Sequence, residues 1–411
     1  MTQASDFTVQ LRSYLETNLP AYLGLLRQMV AINSFTANKA GVNTLGRLTA
    51  DIFAELGFTA EFVPSIEPTF GNHLILTRRG QSGRTIGFVS HLDTVFPPEE
   101  EIENDFVWRE AGERIYGPGI IDIKGGTLIM YMMLDALRAL APAVYNDLTW
   151  TLLLDASEET DGVDFGRLCV DHLNGALACL IFEPGYLGNR KANVVVARKG
   201  MAVYQVRAEG KASHAGGFHA VGANAIVQIA EVAQEIAAMT DYSRGITFNV
   251  GTISGGTVTN RVPHQASLSG EMRAFDSAVY EDGVAGILAL NGRSTIHSGD
   301  GQYACRVSAT VTRRTQPWPR NPATDHLFAI WQAAGAEIGL EIMPEERGGL
   351  SDGNYFFHLI PCLDGLGASG SNAHCSEQSA DGSKEQEYCT PAAFVPKTML
   401  NVLGVLKLLG R

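Results

Sequence analysis

The sequence predicts an α/β protein with a three-layer α/β/α domain around a mostly parallel central sheet, plus an inserted βαββαβ domain. Three observations carry this. Short apolar runs alternate with helical patterns through the first 180 or so residues, the pattern of a sheet buried on both faces. Three of those runs end in acidic or histidine residues, and ligands of open α/β sheets lie outside the carboxyl ends of the strands. Near residue 198 the pattern changes to strand, helix, two strands, helix and strand, which can close into one sheet-and-helix layer.

In chain order, two amphipathic helices are expected over 6–17 and 20–31, with Pro20 early in the second, where a missing N–H is tolerated. A helix follows over 41–55, then β-like runs at 58–63, 72–78 and 84–90. A helix over 125–140 precedes the apolar run "LTWTLLLDA", which ends near Ala156. After a helix near 164–173, the strand in "ALACLIFEPG" stops at Glu183 and a Pro-Gly turn. The second pattern comprises strand 200–209, helix 221–239, strands 246–255 and 264–275, helix 277–291 and strand 303–312. Helices near 323–338 and 391–409 return the chain to the first domain, which therefore comprises 1–197 and 313–411, with 198–312 inserted.

The bulk composition narrows the function. A 411-residue chain with 45% hydrophobic residues suits a large buried core. Its net charge of -13 argues against a general nucleic-acid binder, although one basic pocket can still take a small anion. There is no basic segment leading into an apolar leader core and no run of about 18 apolar residues, so neither secretion nor membrane spanning is expected. The six cysteines are scattered without a CxxC pair, as suits reduced thiols in a cytoplasm.

The chemistry begins at "SHLDTVFP". Alone, His91 reads more readily as a hydrogen-bonded structural residue than as a ligand. Asp93, two residues on, shifts that balance, because a carboxylate there can hold one ring N–H and fix the tautomer that offers the other nitrogen to a metal. "YGPGIIDIKGG" has neither the GxxxxGKS/T nor the GxGxxG spacing of phosphate loops. Its glycines suit a tight turn aiming Asp122 into the crevice, or a helix start that Asp122 caps. "DASEETDG" puts Glu158 and Glu159 at the end of a buried strand, where adjacent carboxylates are costly unless cations compensate. One can bind a metal while the other takes a proton from water. Glu183 and His374 complete a set of two His, two Glu and one Asp ligands, a mixture that borderline metals such as zinc favour. Five ligands suit two metals about 3.5–4 Å apart that share a carboxylate.

With these motifs in order, the sequence resembles the co-catalytic zinc peptidase family of carboxypeptidase G-type glutamate carboxypeptidases, acetylornithine and succinyl-diaminopimelate deacylases, aminoacylases and tripeptidases. The matching stretches span nearly the whole chain: "SHLDTV", "GPGIIDIKGG", "SEET", "FEPG", "KASHAGG", "GGTVTNRVP", "GEMRAFD", "GGLSDGN" and "NAH". The order is closest to the glutamate carboxypeptidase branch.

The resemblance implies that Asp122 bridges two zinc ions, for which cobalt or manganese can substitute. His91 and Glu183 complete one metal; Glu159 and His374 complete the other. It implies Glu158 as general base, Asp93 as the partner orienting His91, and His214 as stabiliser of the oxyanion. Asn260 and Arg273 hold the substrate's free carboxylate, near a loop of Ser351, Asp352, Gly353 and Asn354. Arg313, Arg314 and Arg320 are further candidate anion contacts. The inserted domain acts as lid and homodimerisation element. Two departures stand out: Phe218 and His219 replace the usual proline and acid beside His214, and residues 375–391 lengthen the connection after His374. That length leaves open whether Glu377 or an acid near Lys384 is the usual follow-on acid. Cys375, beside His374, reads as packing.

The activity implied is release of a C-terminal amino acid, with glutamate a preference suggested by the resemblance, from a small peptide or N-acyl conjugate. An N-acyl-amino-acid deacylase uses the same chemistry with the bulk on the other side of the amide. A noncatalytic metal-stabilised binding protein would not need Glu158. A serine or cysteine hydrolase lacks a GxSxG elbow.

Overall fold

A computed structural model describes residues 6–160 and 162–411. The chain divides into two compact units. One contains the chain up to Val196 with Arg320–Glu346 and Ser351–Arg411; the other contains Ala197–Pro319 with Arg347–Leu350. The second unit thus runs beyond the sequence boundary at 312 and takes in a short later segment.

The first unit is built on a six-stranded sheet in the order Thr59–Pro64, Asn72–Arg78, Thr149–Asp155, Thr85–His91, Ala178–Ile181, Cys362–Leu363. Only Asn72–Arg78 runs against the others, so the sheet is mostly parallel, as the apolar runs predict. Alternation along Thr85–His91 shows how both faces are used. Ile86 and Phe88 enter the main core with the helices. On the opposite face a Cβ at Gly87 would meet the side chain of Leu173 from the helix Val163–Leu173, which therefore lies directly against the strand.

The helices Asp6–Val30, Gly125–Leu140, Pro322–Glu337 and Phe394–Leu408 pack together over that core. Gly125–Leu140 is buried around most of its circumference, which explains why its sequence is apolar on every side.

The opening of the chain corrects the sequence expectation. Asp6–Val30 is one continuous helix with Pro20 inside it, not two helices. An interior proline removes one helical hydrogen bond and crowds the preceding turn. Here Leu11, Leu15, Tyr22, Leu26 and Met29 form one buried stripe across the proline, and burial of that stripe outweighs the local cost.

The second unit has a four-stranded antiparallel sheet in the order Thr247–Gly255, Gln265–Ala274, Gly200–Glu209, Arg306–Thr315. Helices Ala225–Ala238 and Ser277–Leu288 share a core with it. The first helix starts later than its periodicity predicts because the Asn224 side chain caps it, accepting from the amides of Ile226 and Val227.

Candidate active site

Three neighbouring parallel strands deliver the first part of the site. Thr85–His91 lies between Thr149–Asp155 and Ala178–Ile181, with His91 opposite Asp155 and Val89 opposite Ile181. Their carboxyl ends therefore bring His91, the Glu158–Glu159 pair and Glu183 to one edge of the sheet. Asp122 comes from the loop that enters the helix Gly125–Leu140, and its backbone is non-helical, with φ -117 and ψ 85. It makes no capping hydrogen bond, which decides between the two readings of this motif. Close approach explains a glycine here: a Cβ at Gly126 would lie 2.2 Å from the Phe182 carbonyl oxygen.

The two oxygens of Asp122 face different partners. Oδ1 lies 3.1 Å from His91 Nε2, which is 3.7 Å from a Glu183 oxygen. Oδ2 lies 3.4 Å from His374 Nε2, which is 3.3 Å from a Glu159 oxygen. The result is two clusters able to hold a cation, His91/Asp122/Glu183 and Asp122/Glu159/His374, with Asp122 common to both. Around a tetrahedral zinc with bonds of about 2 Å, adjacent ligand atoms lie about 3.3 Å apart. These separations fit that requirement. So does Glu159 Oε1, which is buried without a hydrogen-bond partner.

Asp93 serves both halves of this edge. His91 Nδ1 lies 3.0 Å from the Asp93 carbonyl oxygen and 3.4 Å from its carboxylate. That carboxylate also accepts from the amides of Glu158 and Glu159 and from the Thr36 hydroxyl. It thus fixes the turn carrying both glutamates as well as the ring, and neither the turn contact nor Thr36 was legible in the sequence.

The electrostatics follow from packing five carboxylates around two imidazoles. Burial, then the charge of Glu183, pushes Glu158 well above the usual carboxylate range. Its side chain makes no hydrogen bond or ion pair among the described residues. Burial also raises Glu159, against the hydrogen bond from His374. For Asp122, burial acts upward, but hydrogen bonds from His374 and His91 win and hold it below the usual range. Burial acts to lower His91, yet hydrogen bonds to Asp122 and Asp93 raise it. His374 is raised to about 11 by hydrogen bonds to Asp122 and Glu159.

Glu387 was missed. It is fully buried, and one oxygen accepts from the amides of Ile121 and Asp122 at 2.8 and 3.2 Å. Burial, then the charge of Asp122, raises it to about 8. Glu377 instead pairs with exposed Lys384, and Glu385 pairs with Arg114. The acid reaching back to the site is thus Glu387, and not Glu377 or Glu385. The signal available was the short apolar step after it, Tyr388–Cys389, which forms a strand. Cys375 Sγ faces the Glu377 carbonyl at 3.6 Å.

In the second unit, His214 and Asn260 come together. The Ala215 amide donates to the Asn260 carbonyl, and His214 bridges to Arg261. His214 Nδ1 accepts from the amides of Gly216 and Gly217, so its proton sits on Nε2. Arg273 forms a two-pronged pair with Glu271 and donates to the Gly348 carbonyl. Arg314 pairs with Glu281, and Arg320 with Asp325.

The 351–354 stretch is buried in the first unit. Ser351 donates to Asp364, and the Asn354 side chain accepts from the Ser351 amide, so these two groups brace the start of the helix Gly353–Phe356.

The profile of Peptidase family M20/M25/M40 matches residues 87–400, and the chain belongs to this family; it is a hydrolytic enzyme. Among curated relatives, it is 26% identical over 372 residues to carboxypeptidase G2 of Pseudomonas sp. (strain RS-16), covering 86% of this chain and 83% of that one. It is likewise 26% identical over 370 residues to succinyl-diaminopimelate desuccinylase of Paracidovorax citrulli (strain AAC00-1), covering 85% and 90% of the two chains. Among solved structures, the aminopeptidase PepT of Bacillus cereus ATCC 10987 shares the fold, with a TM-score of 0.74, 21% identity, and coverage of 95% of this chain and 99% of that one.

Proposed function

We propose that this enzyme uses two zinc ions, or cobalt or manganese in their place, to hydrolyse an amide and release a C-terminal amino acid, with glutamate the leading candidate, from a small peptide or N-acyl conjugate. The observation that carries the reading is the division of the Asp122 oxygens between two clusters beside a carboxylate, Glu158, that makes no hydrogen bond or ion pair among the described residues. His91 and Glu183 hold one ion with Asp122; Glu159 and His374 hold the other. When bound, the ions supply Lewis-acid polarisation of the carbonyl and lower the pKa of a water.

The chain's own groups then move protons and orient the substrate. Asp93 keeps the His91 ring fixed and aligns the Glu158 turn. Glu158 takes the proton from the attacking water and delivers it to the leaving nitrogen. His214 donates Nε2–H to the developing oxyanion. Asn260 and Arg273 hold the free carboxylate, and Arg273 exchanges part of its pairing with Glu271 to do so.

The enzyme works as a cytoplasmic homodimer. Exposed Ile226, Val227 and Ile253, on the helix Ala225–Ala238 and the edge strand Thr247–Gly255, support pairing through the inserted domain. Scattered free cysteines support a reducing compartment.

The resemblance to a desuccinylase supports a second reading, an N-acyl-amino-acid deacylase. A matched panel separates the two: N-acetyl, N-benzoyl and aminoacyl groups, each joined to glutamate, alanine, arginine and lysine, with Glu158→Ala as control. Cleavage of bulky acyl groups joined to glutamate is the expected outcome. The variant should lose about 10²–10⁴-fold in kcat while retaining its metal. Preference for acetyl groups would favour the deacylase, and zinc-loaded protein inert to every member would point to a binding protein.

A further inference from the structure

Sharing Asp122 between two cations requires its loop to be held in one place, yet that loop is locally irregular. Nothing within it supplies an acceptor for the adjacent amides of Ile121 and Asp122. The acceptor comes from 266 residues away, the Glu387 carboxylate, whose Oε1 takes both amides.

The small sheet behind the site explains how Glu387 gets there. Tyr388–Cys389 is one of its two inner strands. On one side it pairs with Gly370–Ser371, which leads into His374; on the other it pairs with Arg114–Tyr116, which leads into Asp122. Glu387 stands at the head of that inner strand. Its amide donates to the Cys375 carbonyl at 2.8 Å, directly after His374, and its carbonyl accepts from Gly117. One residue thus ties the loop of the shared ligand to the loop of the most exposed one.

A buried cation also stands near this carboxyl group. Lys124 is buried, with Nζ held by the carbonyls of Ile32 and Pro118 at 3.1 and 3.0 Å, and it interacts electrostatically with Glu387. Glu387 Oε2 is buried with no hydrogen-bond partner. Such an arrangement is costly for a residue that only fills space, and an apolar side chain there would leave two buried amides unpaired.

We infer that Glu387 is a positioning residue for the metal centre, fixing Asp122 and the His374 loop together and so setting the affinity of the His374-side cation above all. The inference rests on the two-metal reading. It makes no contact with substrate or with the reacting atoms; it acts through Asp122 and His374.

The test is zinc binding by calorimetry and chelator competition, with kcat, KM and thermal melting recorded alongside, for wild type, Glu387→Ala, Glu387→Asp and Glu387→Gln. Wild type should take up two equivalents. Glu387→Ala should bind one of them about 10–100-fold more weakly, with kcat reduced and KM little changed. Glu387→Gln keeps a neutral acceptor at the same reach and should recover most of that affinity, which a charge-only or merely structural role does not predict. If Glu387→Ala fails to fold, Glu387→Asp decides, because it keeps the charge but draws the acceptor back from both amides; it should show the same selective weakening. Unchanged affinity for both equivalents in every folded variant, or equal weakening of both with no rescue by Gln, would overturn the inference while leaving the two-metal reading intact. A wild type that binds fewer than two equivalents would instead remove that reading, and this inference with it.

Discussion

The two halves of the proposed metal centre are built by different means. The His91 and Glu183 half grows from adjacent parallel strands, and the His91 side chain is only 1% exposed. The His374 half is delivered by a loop in which His374 has φ 68, and that side chain is 51% exposed. A sheet edge positions its ligands through backbone ladders and core packing, so that half is preorganised by the fold itself. A loop has neither, and here its position depends on specific buried carboxylates. The same chemistry is thus rigid on one side and held by a few hydrogen bonds on the other.

Replacing the two histidines should expose this difference most strongly. His91→Ala and His374→Ala should each remove one zinc equivalent and most of the activity. His91→Ala should also cost about 2–4 kcal/mol in unfolding free energy, because it opens a space in the buried strand edge and strips partners from buried acids. His374→Ala should cost well under half of that, as measured by urea unfolding in the presence of chelator. Equal losses would mean that the loop half is as integral to the fold as the strand half.

Cation uptake provides a smaller and graded measurement. The raised His91 and His374 values mean that both imidazoles carry protons near pH 7 when they are held only by their carboxylates. Zinc must displace those protons, so binding should release them and weaken as pH falls. Calorimetry in buffers of different ionisation enthalpy reads the number released. A value near zero would contradict the packing of charges described above.

The smallest effect concerns the scaffold beneath the rigid half. His73 is fully buried between Asp155, which lies opposite His91 in the sheet, and Asp164. Burial acts to lower its pKa, but hydrogen bonds to Asp155 and Asp164 raise it to about 9. Since this exceeds the ordinary value of about 6.5, the stabilisation is complete below about pH 6.5 and is lost as pH rises through about 9. Asp164, held below its usual range against the opposing effect of burial, contributes in the opposite sense: its share is present above the ordinary carboxylate range and is lost as pH falls through its lowered pKa. His73→Gln should flatten the alkaline limb of the stability profile while leaving metal stoichiometry unchanged.

Much of the site was legible because it follows strand grammar. An apolar run that ends in His91 and Asp93, another in Glu158 and Glu159, and a third in Glu183 gather polar groups at strand ends, where open α/β sheets take their ligands. The glycines around Asp122 marked a tight turn, although not which of two roles its carboxylate plays. Pro20 was misread because local propensity was weighed without the buried stripe that crosses it. For Arg273, expected at the substrate's carboxylate, a sequence cannot show that Glu271 and the Gly348 carbonyl already hold it.

By itself, the sequence determined the α/β alternation, the candidate ligand types and the presence of a spare carboxylate beside them, because each depends on residues close in the chain. Tertiary structure alone decided how Asp122 divides its oxygens, that Asp93 grips the glutamate turn, and which acid of the lengthened loop turns inward. Those depend on groups tens to hundreds of residues apart. A periodicity or a motif reports neighbours along the chain, whereas a buried carboxylate finds its amides only once the core has excluded water and left them no other partner.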